Sequence, residues 1–272
     1  MSGILYLVPS PIGNLKEVSP RVIETLNSVD FVACEDTRNT QKLLNLLGIN
    51  KKCISCHEHN ELISSKNIID NLLDGKNYAY MSDAGYPCIS DPGHLLTIEA
   101  IKNNIKVVPL SGPNAFLNAL VGSDEDTSHF LFYGFLDSKE SAREKELEAL
   151  KNFPFTLIFY EAPHRINDTL KSLHKILGER KITIARELTK MYEEFLHTSL
   201  NDLTNNPIEF KGELVLVVEG AKKEENSRDL KDISDKFNDL LKLGYTKKDA
   251  INILSTLFKI NKNDLKKEFI NN

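Results

Sequence analysis

No apolar run in the 272-residue chain reaches the roughly 20 residues a membrane-spanning helix needs, so no membrane role is expected. No basic segment precedes the first apolar stretch, Ile4 to Val8, so a secretory leader is not expected and the protein is placed in the cytoplasm. Tryptophan is absent, which by itself decides nothing. Cysteine is scarce: in a reducing compartment Cys34, Cys53, Cys56 and Cys88 are expected to be free thiols. Cys53-Ile54-Ser55-Cys56-His57 matches a haem-attachment string, but that chemistry needs export, and no metal or haem is assigned. The phosphate cradles G-x-G-x-x-G and G-x-x-x-x-G-K-[ST] are missing, which argues against a dinucleotide or triphosphate site. Positive charge is also short: the net charge of −5 argues against a broad nucleic-acid-binding field. From Lys222 onward there are 12 basic and 9 acidic residues, a balance of +3; the rest carries 22 and 30, a balance of −8. Any RNA contact must use local basic patches.

What is present is a rhythm. Apolar runs at 4–9, 29–34, 78–82 and 106–110 read as strands, and helical periodicity fills 19–26, 37–47, 61–73 and 93–102. Such alternation predicts an α/β fold with a parallel sheet wrapped by helices. The small and acidic residues at 122–128 read as a connector. A second series follows, with strands at 130–135, 156–160, 182–186 and 213–219 and helices at 140–150, 166–177 and 200–205. A polar linker at 222–227 precedes Leu230, Ile233, Phe237, Leu240 and Leu241 at helical spacing. Gly244 suits the end of that helix, Thr246 with Asp249 suits the start of another, and 261–270 can form a third. The predicted organisation is an N-terminal α/β domain over 1–120, a second α/β domain over 121–221 and a helical tail over 222–272. The tail reads either as a helix-turn-helix presenting Lys262, Lys266 and Lys267 or as a helical cap or dimer arm.

In an open α/β sheet ligands bind beyond the carboxyl ends of the strands. Four such positions are rich in Gly, Pro and small polar residues: Pro9 to Leu15, Cys34 to Arg38, Ser82 to Pro87 with Ser90 to Gly93, and Ser111 to Ala115. Their convergence on one rim would let backbone approach a ligand closely. Asp83 and the turn of Gly112, Pro113, Asn114 and Ala115 suit a polar ligand with a cationic centre and an adenosine. His57-Glu58-His59-Asn60-Glu61 lacks a third metal ligand and reads as substrate contact or as a helix start capped by Asn60. In the second half Arg165, Arg186 and Lys190 can meet phosphates, with Glu161 and Glu187 to orient them; an ion-pair network between domains is the competing reading.

The strings SPIGNL, ACEDTRNTQKLLNLLGI, HEHNE, SDAGYPCISDPG, SGPNA, FYGFL, LIFYEAPHR, ARELTK and GELVLVVEG occur in one order. Together they resemble the ribosomal small-subunit RNA 2′-O-methyltransferase I family of the tetrapyrrole methylase superfamily, over about residues 4–220. The resemblance implies two α/β domains with S-adenosylmethionine between them, a homodimer, and methylation of a cytidine ribose in the decoding region of 16S rRNA. It implies cofactor contacts at Ser82, Asp83, Ala84, Gly85 and Tyr86, at Gly112 to Ala115, and near Glu161 and Leu188. Pro11, Ile12 and Gly13 should line the cleft near the methyl group. Arg38, His59, Asn60, Arg165, Arg186 and Lys190 are the implied RNA contacts. Glu35, Asp36, His57, Glu58 and Glu187 are alternatives for a base acting on the 2′-hydroxyl, and catalysis by positioning alone stays open. The chain departs from the family pattern at Ser10, Tyr86 and Asn114, where Thr, Thr and Ser are expected. Two rival functions are a methylase of small tetrapyrroles and a non-catalytic RNA-binding scaffold.

Overall fold

The computed structural model describes residues 2–222, 227–258 and 260–270. Residues 1–221 form one compact unit and 222–272 another.

The first sheet holds β1 (Ile4–Val8), β2 (Phe31–Cys34), β3 (Cys53–Ser55), β4 (Tyr78–Met81) and β5 (Lys106–Pro109), ordered β3-β2-β4-β1-β5. Every pairing is parallel. The helices between the strands are α1 (Pro20–Ser28), α2 (Thr37–Leu46), α3 (Glu61–Leu73) and α4 (His94–Lys102). Successive strand side chains point to opposite faces. On β4, Tyr78 and Tyr80 therefore join Leu5, Ile68, Leu72 and Leu96, while Ala79 and Met81 join Val8, Val22, Leu26 and Leu44. One face is covered by α3 and α4, the other by α1 and α2. A four-residue strand buried on both faces explains why YAYM contains no alternation of polar and apolar residues.

Beyond α5 (Ala115–Val121) lies the second sheet: β6 (Phe130–Phe135), β7 (Thr156–Glu161), β8 (Lys181–Arg186), β9 (Glu194–Ser199) and β10 (Leu214–Val218), ordered β6-β7-β10-β8-β9. It is mixed, with β6 parallel to β7 and the other pairs antiparallel. Its helices are α6 (Glu140–Leu150), α7 (Ile166–Leu177) and α8 (Leu200–Asn205). They bury Leu147, Leu170, Leu173 and Leu200 against Phe159, Ile184 and Leu216. The opposite face meets α5 and the loop after β1: Ile158, Ala185, Val215 and Val217 pack with Ala119, Leu120 and Ile12.

The tail contains α9 (Ser227–Lys242), α10 (Lys247–Phe258) and α11 (Lys262–Ile270). Ile233, Phe237, Ile251, Leu254 and Leu265 close its own small core. Gly244 takes φ +90 after α9, and Thr246 Oγ1 accepts from the Asp249 N–H at 3.2 Å, as the sequence predicts. The linker expected at 222–227 falls mostly on 223–226, outside the described residues, as does the side chain of Leu230.

Three elements depart from the sequence reading. The sequence reading assigns no element to 53–55 or 194–199, where the structure has β3 and β9, and ends the fourth loop as a turn at Ala115, where α5 begins.

Candidate active site

The loops at the carboxyl ends of the first sheet are tied to one another by hydrogen bonds. Ser10 and Gly85 exchange backbone hydrogen bonds of 2.8 and 3.0 Å, and Ser10 Oγ donates to the Ser82 carbonyl at 2.6 Å. Tyr86 reaches the fourth loop, where its hydroxyl accepts from the Gly112 N–H at 2.8 Å. Asn39 Nδ2, in the first turn of α2, donates to Asp83 Oδ2 at 2.8 Å. The Tyr86 departure thus supplies a fastening between two loops that a threonine is too short to make.

The first loop also reaches the second sheet. Ile12 is buried against Leu188 and Val215. Gly13 has φ +141, and a Cβ there would stand 2.5 Å from Lys190 Cγ, so only glycine fits this approach.

Between the two sheets lies a cavity of about 290 Å³. One wall is Ile12, Ala84, Gly85, Tyr86, Ile89 and Asp91, with Asn114 and Ala115 at the start of α5. The other is Phe135, Tyr160, Glu161, Leu214 and Val215. Asn114 Oδ1 caps α5 by accepting from the Leu117 N–H at 2.9 Å. The Asp91 carboxyl is pushed up to about 6 by its burial, with the nearby carboxylates of Glu35 and Asp83 adding to the rise against a hydrogen bond from Ser82. A partly buried, like-charge-crowded carboxylate on an apolar wall is an electrostatic cost by itself and an attraction for a cationic ligand.

A polar pocket adjoins through the segment after β4. Glu35, Asp36, Thr37, Arg38, Ser55, His57 and Asp83 line it. Burial raises the Glu35 carboxyl above its usual range, Asp83 adds to this, and His57 opposes it. Asp36 is different: two hydrogen bonds from the Arg38 guanidinium, at 3.2 and 2.9 Å, and one from the Arg38 N–H at 2.8 Å hold it down to about 2. The His57 Nδ1 is buried without a hydrogen-bond partner among the described residues, while the His57 backbone N–H donates to Asn60 Oδ1 at 2.8 Å.

Asn60 therefore braces the His57 loop, and its side chain does not cap α3 as the sequence suggested. The capping carboxylate in this string is Glu61, which serves another helix. Its Oε1 accepts from the N–H groups of Gly93, Leu95 and Leu96 at 3.0, 3.0 and 3.2 Å, fastening the start of α4 and the loop that carries Asp91.

The predicted site residues divide accordingly. Ile12, Ala84, Gly85, Tyr86, Asn114, Ala115 and Glu161 line the cavity, whereas Asp83 faces the polar pocket beside Glu35 and His57. Ser82 is buried beneath the loops, Leu188 sits in the core behind Ile12, and Gly112 is held by Tyr86. Pro11, Gly13 and Pro113 belong to the loops framing the cavity, and Glu58 and His59 are exposed. The phosphate-capable residues of the second sheet are paired. Arg165 binds Glu161, which also accepts from Thr169 Oγ1 at 2.6 Å and the Ala162 N–H at 2.7 Å. Arg186 binds Glu194, not Glu187. Lys190 lies 3.0 Å from Glu187 and 3.2 Å from Glu213, and its bond lowers the Glu187 carboxyl.

Residues missed by sequence reasoning include Asp91, which stands in the quoted SDAGYPCISDPG string, and Phe135, Tyr160, Leu214 and Val215. The last four read as core because they sit in apolar strands.

Residues 4–204 match the family described as tetrapyrrole (corrin/porphyrin) methylases. A Bacillus subtilis (strain 168) protein named ribosomal RNA small subunit methyltransferase I is 49% identical over 225 residues, 82% of this chain and 77% of that protein. A Haemophilus influenzae protein of the same name is 40% identical over 270 residues, covering 97% and 95%. Among solved structures, the methyltransferase CobJ aligns with a TM-score of 0.62 at 19% identity, over 81% of this chain and 95% of that one. Diphthine synthase aligns with a TM-score of 0.61 at 13% identity, over 80% and 90%. These structural likenesses concern the fold.

Proposed function

Because the chain belongs to the tetrapyrrole methylase family, and within it to the ribosomal RNA small subunit methyltransferase I proteins, we propose that it moves a methyl group from S-adenosylmethionine to the ribose 2′-hydroxyl of a cytidine in the decoding region of 16S rRNA. The observation that carries this reading is the pair of adjoining compartments flanking residues 83–85. One is apolar with the Asp91 carboxylate; the other gathers Glu35, Asp83, His57 and Arg38. The cofactor fits the first, since its aromatic and aliphatic parts suit Ile12, Ile89, Leu214 and Val215 and its positive sulfur suits Asp91. The nucleotide fits the second.

When bound, the cofactor supplies an electrophilic methyl group on a sulfonium. The protein's task is to hold the ribose oxygen about 3 Å from that carbon, in line with the leaving sulfur. Of the five candidate bases, Glu35 is best suited to take the hydroxyl proton as the oxygen–carbon bond forms and the carbon–sulfur bond breaks. Its affinity for a proton is raised, whereas Asp36 and Glu187 are held low by cations. Asp83, fastened by Asn39, orients the ribose, and Arg38 meets a flanking phosphate. The reading includes a cytoplasmic homodimer acting on small ribosomal subunits, on the strength of the family likeness. It keeps the division into domains at 1–120 and 121–221 with a tail at 222–272. No described helix is long and apolar enough to cross a membrane.

Incubation with labelled S-adenosylmethionine and unmodified small subunits, followed by mapping of the modified position, tests the proposal. A methyl on one cytidine ribose is expected, with kcat lowered about 10²- to 10⁴-fold in Glu35→Gln. Methylation of a base, or of a free tetrapyrrole in place of RNA, contradicts it.

A further inference from the structure

The polar pocket continues outward. Thr37 and Arg38 line both it and a second groove formed with Gln41, Lys42, Asn45 and Lys52 along the exposed side of α2. The inner end is acidic, with Glu35 and Asp83, and the outer end carries three cations. Among the described residues neither Lys42 nor Lys52 has a carboxylate within ion-pair distance. Lys52 rests 5.9 Å from the Phe31 ring centroid, and Arg38 keeps an exposed face beyond its bond to Asp36. Four basic groups of the second sheet and its helices are spoken for: Arg165 by Glu161, Lys175 by Glu144, Arg186 by Glu194 and Lys190 by Glu187. In a chain of net charge −5, Lys42 and Lys52, with the exposed face of Arg38 beside them, make one groove a local basic patch where a polyanion gains.

We infer that the groove along α2 binds the single-stranded RNA flanking the target nucleotide, with its phosphates on Arg38, Lys42 and Lys52. This rests on the proposed RNA substrate and assigns it a path. The charge gradient sets the direction of entry. Carboxylates at the inner end repel phosphate but accept hydrogen bonds from ribose hydroxyl or amino groups, so the nucleoside lies inside and the flanking phosphates lie outside. The ten residues of α2 span about 15 Å, room for a short run of single strand rather than a duplex face.

The test compares wild type with the double variant Lys42→Ala, Lys52→Ala, measuring KM for unmodified small subunits across a salt series and KM for S-adenosylmethionine. The double variant should raise the subunit KM about tenfold at physiological salt and flatten the log–log salt slope by about 1.4, or 0.7 for each lost phosphate contact. The cofactor KM should hold, as should both constants in Lys175→Ala. An unchanged subunit KM overturns the inference, and so does a raised KM with an unchanged slope, which would put something other than RNA phosphate in the groove. Wild-type protein that methylates no small subunits would instead overturn the proposed function.

Discussion

Asp91 shows how a single side chain trades stability for binding. Its carboxyl is raised from 3.8 to about 6, first by burial and then by Glu35. Between those values the folded protein binds more protons than the unfolded chain, so this group makes stability fall as pH rises from about 4 to 6. Asp91→Asn removes the effect. The ligand-free variant should match wild type near pH 4 and be more stable at pH 7, by on the order of 1 kcal/mol once partial solvent screening is allowed for. The same variant should bind S-adenosylmethionine at least tenfold more weakly at pH 7, because the attraction for the positive sulfur is gone. Thermal unfolding across pH, paired with calorimetry, checks both; a variant less stable at pH 7 would show that Asp91 serves the empty fold.

Among the elements, α4 depends on a residue far from it in sequence. Gly93 at its start has φ +111 and offers no side chain, so the first N–H groups are satisfied by Glu61 from α3. Glu61→Ala leaves three donors without their partner and should cost about 3 kcal/mol in denaturant unfolding, while Glu61→Gln, which keeps an acceptor oxygen, should recover part of that loss. An unchanged midpoint in Glu61→Ala would mean that water replaces the cap at no cost. At this scale the sequence was legible wherever local signals agree. Ser19 before Pro20 begins α1, and Thr37 to Leu46 carries its period intact. It was opaque where the cause is distant. The strand β3 has only three residues and exists because β2 lies beside it; β9 is a half-exposed edge; α5, seven residues long, is hidden behind Ser111-Gly112-Pro113. Glu61 could not be distinguished from a local cap, since its partners lie more than thirty residues onward.

Across residues 1–221, strand-end loops from the first sheet meet the second sheet across one cavity. The loops were readable as a group because Gly, Pro and small polar residues recur after β1, β2, β4 and β5. The opposing wall was not readable, since Tyr160, Leu214 and Val215 differ in no local way from the buried residues beside them. Nor could the sequence divide the polar residues between two compartments. It grouped Asp83 with the cofactor loops, and only the fold sets it beside Glu35 and His57. The account as a whole stands on the cavity being the seat of the methyl donor. Methyl-labelled protein titrated with S-adenosylmethionine and followed by NMR tests this most directly. Resonances of Ile12, Ile89, Leu214 and Val215 should shift together and saturate at one stoichiometric equivalent, with Leu62 and Leu95 on the α3–α4 surface unmoved. Saturable shifts confined to that surface, or none at the four cavity residues, would contradict it.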